Sequence, residues 1–183
     1  MHNIWIRLNS VTFFALSVLI GMAVMCAMST YLHVGTPDVD VLRVNELKVL
    51  RNFRGKDNAE LYLDIHADLR AAWHWNLKQL FVYVVAEYES KANTLNQIVI
   101  WDRIIENKED AIIHLDRQEG KYALPDQGAE LRDTTIQLKL KWDHMPYTGR
   151  TYEGEALGSK YTFPSKYVQS KVTKTKRNSK RLT

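Results

Sequence analysis

The stretch WHWNLKQLFVYVVAEYE, Trp73–Glu89, decides how the rest of the chain is read. Leu80, Val82, Val84, Ala86 and Tyr88 recur at every second position, which marks a β-strand with those side chains on one face. The intervening Phe81, Tyr83 and Val85 are just as apolar, so neither face is marked for water. Strands of an antiparallel sandwich normally expose one face, and a strand apolar on both requires a second cover. Two covers fit: the chain's own loops or a short helix, or a partner protein closing over Phe81, Tyr83 and Val85.

On either side of this stretch the chain again favours strands. Leu61, Leu63, Ile65, Ala67 and Leu69 alternate with Tyr62, Asp64, His66 and Asp68. Ile136, Leu138, Leu140 and Trp142 alternate with Gln137, Lys139, Lys141 and Asp143. Each pattern puts one face on a core and one in water. Shorter strands are expected at 41–49, 97–101, 111–115, 121–124, 151–156 and 161–163. Turn residues separate them at Arg54–Asn58, Asn107–Asp110, Asp126–Gly128, Tyr147–Gly149 and Leu157–Gly158. A short helical turn is expected within 67–75. Strands of this size and spacing predict a mainly β fold, an antiparallel sandwich of two sheets.

Ahead of the sandwich, Val11 to Leu32 reads VTFFALSVLIGMAVMCAMSTYL, 22 residues without a charge. As a helix this run is about 33 Å long at roughly 1.5 Å per residue, enough to cross a bilayer core. A cleavable signal is the competing reading, given Arg7 in the leader and the small residues of 27–30. The apolar region of such a signal covers roughly 7–15 residues, so the longer run favours an uncleaved anchor. Arg7 precedes the segment, whereas the first charges beyond His33 are Asp38 and Asp40. The positive-inside bias then leaves the N-terminus in the cytosol, as in a type II single-pass protein. Gly21, Ala15, Ser17, Ala23, Ala27 and Ser29 offer small surfaces for helix contact.

The expected organisation is a tail over 1–10, an anchor over 11–32, a β domain over 33–170 and a basic, disordered tail over 171–183. That last tail carries six Lys or Arg and no acid; without it and Arg7, the formal charge of +4 becomes about −3. The domain is therefore mildly acidic and gives no reason to expect nucleic acid. The single cysteine, Cys26, lies in the anchor, so the domain uses no disulfide. No Asn-x-Ser/Thr sequon occurs.

Chemistry is sparse in the sequence. It contains no G-x-S-x-G, no H-E-x-x-H, no paired-cysteine spacing and no glycine-rich phosphate loop. His66 and Asp68 share a strand face in a hydrated pattern, and His74 and His144 read as packed or capping residues. Glu87 and Glu89 fit a solvated strand end, and Asn93 and Asn96 a loop. No catalytic residue, cofactor or metal is expected.

The run Trp75-Asn76-Leu77-Lys78-Gln79-Leu80-Phe81, then Tyr83, Ala86-Glu87-Tyr88, Asn96-Gln97 and Trp101-Asp102, resembles the third subunit of the eukaryotic signal peptidase complex. That family's central pattern is W-N-x-K-Q-L-F-x-Y followed by A-E-Y, N-Q and W-D. The similarity extends through Asn9-Ser10, Asp68-Leu69, Trp142 and Tyr161-Thr162-Phe163-Pro164, about residues 1–170. Where family members carry a glycosylated Asn, this chain reads Asp133-Thr134-Thr135, and the tail after Ser170 is longer than the pattern.

The resemblance implies a single-pass protein of the endoplasmic reticulum membrane with a luminal β-sandwich. It also implies a non-catalytic accessory role, with peptidase chemistry in a separate subunit. Partners would be that catalytic subunit and other members of the complex, with membrane lipids along Val11 to Leu32. The candidate partner interface is Phe81, Tyr83, Val85, Tyr88 and Trp101, since aromatics are enriched in interfaces. Trp75, Asn76, Lys78, Gln79, Glu87, Asn96, Gln97 and Asp102 serve either that interface or the corner of the sandwich. Two other classes remain open from the residues alone: a membrane-anchored adhesion or binding sandwich, and a hydrolase whose triad is assembled only in space.

Overall fold

The computed structural model describes residues 3–33, 35–91 and 93–169. The expected basic tail at 171–183 lies outside the described residues. Helix α1, Ile4–Ser29, begins seven residues before the expected anchor, where the Asn3 side chain accepts the Trp5 N–H at 3.1 Å and caps it. A short 3-10 turn, Thr30–Leu32, follows. The 29-residue segment Ile4–Leu32 is long and apolar enough to cross a membrane, and none of its most apolar window is buried by protein. A core helix of a globular domain would bury a stripe; this one is apolar around its whole circumference. Its hydroxyls turn back onto its own carbonyls, Thr12 to Leu8, Ser17 to Phe14 and Ser29 to Cys26, which satisfies them without water.

Among the described residues eight strands follow: β1 Asp38–Phe53, β2 Lys56–Asp68, β3 Leu77–Tyr88, β4 Asn96–Ile105, β5 Ile112–Glu119, β6 Leu124–Pro125, β7 Thr135–Pro146 and β8 Tyr152–Thr162. The pairs are antiparallel and form two four-stranded sheets. In the first, β2 lies between β1 and the pair β5 and β6; the second runs β4-β3-β7-β8. The predicted sandwich is therefore present. Its core takes Leu61, Leu63 and Ile65 from β2, Leu80, Val82 and Val84 from β3, and Ile136, Leu138 and Leu140 from β7. These are the residues that the period-two pattern places inside.

Arg54 and Gly55 join β1 to β2 with φ of 54° and 81°. Two successive positive φ values give the type I′ turn whose twist suits a hairpin. The Gly55 N–H donates to Asn52 Oδ1 at 3.1 Å. The expected helical turn is the 3-10 turn Arg70–Ala72.

Two local expectations are corrected. Leu157–Gly158 is not a turn but part of β8, which is one strand over the two stretches expected separately. A register irregularity against Gln137 and Lys139 falls there. A Cβ on Gly158 would lie 2.5 Å from Leu42 Cδ2, so glycine is required where β1 and β8 close the sandwich edge. The strand expected at 121–124 shrinks to Leu124–Pro125, since the segment before it turns across β4 with Tyr122 N–H on the Ile100 carbonyl.

Candidate partner-binding face

Strand β3 lies between β4 and β7, and register fixes what its outward side chains meet. Phe81 is opposite Ile104 and Asp143, Tyr83 opposite Asp102 and Lys141, and Val85 opposite Val99 and Lys139. The outer face of the second sheet therefore has an apolar centre of Phe81, Tyr83, Val85, Val99 and Ile104. Phe81 and Tyr83 stack with ring centroids 5.2 Å apart and remain half-buried. Ile104 and Val99 are 53% and 39% exposed, so the chain's own loops leave this face open. Val85, 4% exposed, is covered within the sheet.

Charges border this centre on the β7 and β8 side. Lys139 bridges Glu87 at 3.0 Å and Glu155 at 3.5 Å, and Lys141 reaches Glu155 at 3.4 Å. Gln97 Nε2 donates to Glu87 Oε1 at 2.5 Å. Burial acts to raise the Glu87 carboxyl, but Lys139 and Gln97 outweigh it and hold the group below its ordinary value. Asp143 behaves in the opposite way: burial, then the facing Glu153 carboxylate, pushes it up. Tyr83 is raised by burial first and then by Asp143 and Glu153.

Toward α1 the face runs into a cleft of about 770 Å³ lined by Ala27, Tyr31, Asp143, Met145, Tyr152 and Glu153. The β7–β8 hairpin ties the domain to the helix here. Asn76, 1% exposed, donates Nδ2 to the Thr148 carbonyl at 2.8 Å and accepts the Thr148 N–H at 3.2 Å. Thr148 Oγ1 in turn lies 3.2 Å from Cys26 Sγ in α1. His74 and His144 pack beside this tie. His74 Nε2 is 2.8 Å from the Tyr152 hydroxyl, and the His144 ring stacks on Tyr152 at 4.1 Å. Burial, reinforced by neighbouring histidines, lowers both imidazoles, which fits their reading as packed side chains.

The structure separates the residues of the central pattern. Tyr88 and Trp101 are in the core, 4% and 3% exposed, and stand behind the outer face rather than on it. The Tyr88 hydroxyl donates to Asp126 Oδ1 at 2.9 Å, and Asp126 Oδ2 accepts the Gly128 and Glu130 N–H groups, so Tyr88 organises that loop. Asn76 and Asn96 lock corners, the latter through its bonds to the Tyr88 carbonyl and Ser90 Oγ. Gln79 Nε2 contacts Met145 Sδ at 3.0 Å. Glu87 and Gln97 belong to the charged border, and Asp102 meets Lys121 at 3.4 Å. Trp75 and Lys78 are exposed near Tyr147 at the helix-proximal end.

Val99 and Ile104 are the residues that sequence reasoning missed. A register shift between Val84 and Val85 puts both Ile100 and Trp101 inward, which inverts the alternation of β4 beyond that point. In the sequence the bulge falls inside the apolar run Ile98-Val99-Ile100-Trp101, which has no period-two alternation to mark it.

An antiparallel sandwich preceded by one helix long and apolar enough for a bilayer, with an exposed apolar centre on one sheet face, defines the class: a β-sandwich protein headed by a membrane-length helix. The family described as "Signal peptidase subunit" matches residues 1–166. The chain belongs to that family. It is 32% identical over 169 residues to "Signal peptidase complex subunit 3" of Dictyostelium discoideum, covering 92% of this chain and 98% of that protein. The protein of the same name from Drosophila melanogaster is 32% identical over 179 residues, 94% of this chain and 100% of the relative. That of Gallus gallus is 35% identical over 156 residues, 81% and 86% of the two chains.

Proposed function

We propose that this chain is a non-catalytic accessory subunit of the signal peptidase complex of the endoplasmic reticulum membrane. Its sandwich docks on the catalytic subunit through the outer face of the second sheet. The observation that carries this is the exposed apolar centre of that face, continuous with the cleft at the end of α1. A partner anchored in the same bilayer would emerge beside α1 and meet the cleft and the Phe81–Tyr83 stack as one surface. Aromatic side chains there offer large contact area at small entropic cost. Trp75, Tyr147 and Tyr31 are exposed at the same end, at the level where aromatic residues favour headgroups.

The N-terminus is assigned to the cytosol and the sandwich to the lumen, on the strength of Arg7 before the helix and Asp38 and Asp40 after it. Catalysis is assigned to another subunit, because the chain carries none of the local nucleophile or metal signatures. The test is extraction of the full chain from membranes in mild detergent. Co-purification of an integral-membrane peptidase subunit is expected, together with protease protection of the sandwich in sealed microsomes. Recovery as a lone monomer, or cleavage of a signal-bearing peptide by the purified chain alone, would overturn it.

A further inference from the structure

The outer face of the first sheet carries a side-chain cluster that the docking role does not use. His66 on β2 and His114 on β5 are direct register partners. Their rings stack 3.8 Å apart and 19° from parallel. Both present Nε2 to one carboxylate: His66 Nε2 lies 2.8 Å from Asp116 Oδ1, and His114 Nε2 lies 3.5 Å from Asp116 Oδ2. One potential ligand atom from each residue falls within 4.8 Å of the other two. A tetrahedral ion with Zn–N and Zn–O distances of about 2.0–2.2 Å holds its ligand atoms about 3.3–3.5 Å apart, so small side-chain rotations would complete the set.

The backbone beneath Asp116 is fixed. A register shift between Leu63 and Ile65 bulges β5 after Asp116, and Arg117 takes a positive φ of 51°. Asp64, 2% exposed, clamps that bulge by accepting the Arg117 N–H at 2.9 Å. Its oxygens also accept from Asn45 Nδ2 and Arg43 Nε, both at 2.8 Å. Those donors occupy Asp64, which makes it the support of the cluster and not a member of it. Preorganisation of this kind lowers the cost of assembling ligands around an ion.

The donor set then selects the ion. Two imidazoles and a carboxylate suit a borderline first-row cation; Mg²⁺ and Ca²⁺ prefer all-oxygen shells, and Cu(I) prefers sulfur. The His114 and Asp116 side chains are 68% and 67% exposed, so a fourth position faces solvent. We propose that His66, His114 and Asp116 form a three-ligand Zn²⁺ site on the outer face of the first sheet, with its remaining position open to water.

The site was not visible along the chain, since His66 is joined to His114 and Asp116 only by the β2–β5 register. The pattern His114-x-Asp116 on one strand face was its single linear sign. The experiment uses the full chain, without a polyhistidine tag, in detergent micelles, with Zn²⁺ titrated against a chromophoric chelator. His114→Ala and Asp116→Asn change exposed side chains, and unchanged far-UV circular dichroism would verify their fold. The wild type is expected to bind one Zn²⁺ that each variant weakens by at least about tenfold. Zn²⁺ should also raise the melting temperature of the wild type and not that of the variants. Equal Zn²⁺ affinity in wild type and both variants, or no Zn²⁺ bound by the wild type, would overturn the assignment.

Discussion

The two outer faces of the sandwich are built on the same strand pattern and finished differently. On the first sheet the outward positions of β2 carry Glu60, Tyr62, Asp64 and His66, joined to neighbours by ion pairs such as Lys48–Glu60 at 3.0 Å and Arg43–Asp64 at 2.8 Å. On the second, the equivalent positions of β3 carry Phe81, Tyr83 and Val85, extended on β4 by Val99 and Ile104. The inward sets are alike, Leu61, Leu63 and Ile65 against Leu80, Val82 and Val84. Core burial therefore does not distinguish the sheets. The first sheet is complete in water, and the second leaves an apolar surface that gains stability only when covered.

The largest expected effect breaks this difference directly. Phe81→Glu combined with Tyr83→Glu puts two charges at the centre of the proposed contact, where loss of an aromatic anchor typically costs about 2 kcal/mol or more. Recovery of the peptidase partner in mild detergent should fall by at least about thirtyfold, which is 2 kcal/mol expressed as a ratio. Tyr62→Glu, the matching outward change on β2, should leave recovery unchanged. Equal losses from both faces would remove the distinction between them.

A second contrast lies in the carboxyl groups. Asp64 on the first sheet is held down at about 2, chiefly by the Arg117 N–H, with Asn45 and Arg43 adding to it against the cost of burial. Its folded value is below its unfolded one, so its contribution is present above about pH 4 and is lost as pH falls toward 2. Asp68 is also held at about 2, by Arg70, and acts in the same window. Asp64→Asn should therefore make acid unfolding between pH 4 and 2 shallower without abolishing it. At neutral pH it should cost about 2 kcal/mol, the scale of a charge-assisted hydrogen bond. Denaturant melts across that range measure both; a variant with the full acid slope would exclude Asp64 as a source of it.

How much of this was legible followed from how local each signal is. The even phase of β3 and the alternation of β7 identified the inner faces, because strand period depends only on neighbours in sequence. The helix was legible from its length and lack of charge, although its start at Ile4 was not, since Ile4-Trp5-Ile6 precede a charged Arg7. Trp101 was placed on the wrong side because the bulge at Ile100–Trp101 depends on pairing with β3. Leu157–Gly158 has the composition of a turn, yet its glycine serves a close approach to Leu42. The His66–His114–Asp116 cluster was hidden for the same reason as the bulge: cross-strand register is set by the whole sheet, not by the stretch that carries the residue.

The smallest expected effect comes from the charged border of the apolar face. Asp143 and Glu153 are register partners on β7 and β8, and like charges directly opposite each other destabilise a ladder. Burial and this repulsion together raise the Asp143 carboxyl, so its folded value is above its unfolded one. For such a group, stability falls as pH climbs from the unfolded value through the folded one, the reverse of Asp64. Asp143→Asn removes that loss while keeping an acceptor beside the Tyr83 hydroxyl. At pH 7 the full chain in micelles should become more stable, by about 0.2–1 kcal/mol. The gain should fade as pH falls below about 4, where the wild-type carboxyl becomes protonated in the unfolded as well as the folded state. A lower melting temperature for the variant at pH 7 would mean that Asp143 is held by attraction and not by strain. The border of the second sheet would then be as settled in water as the face of the first.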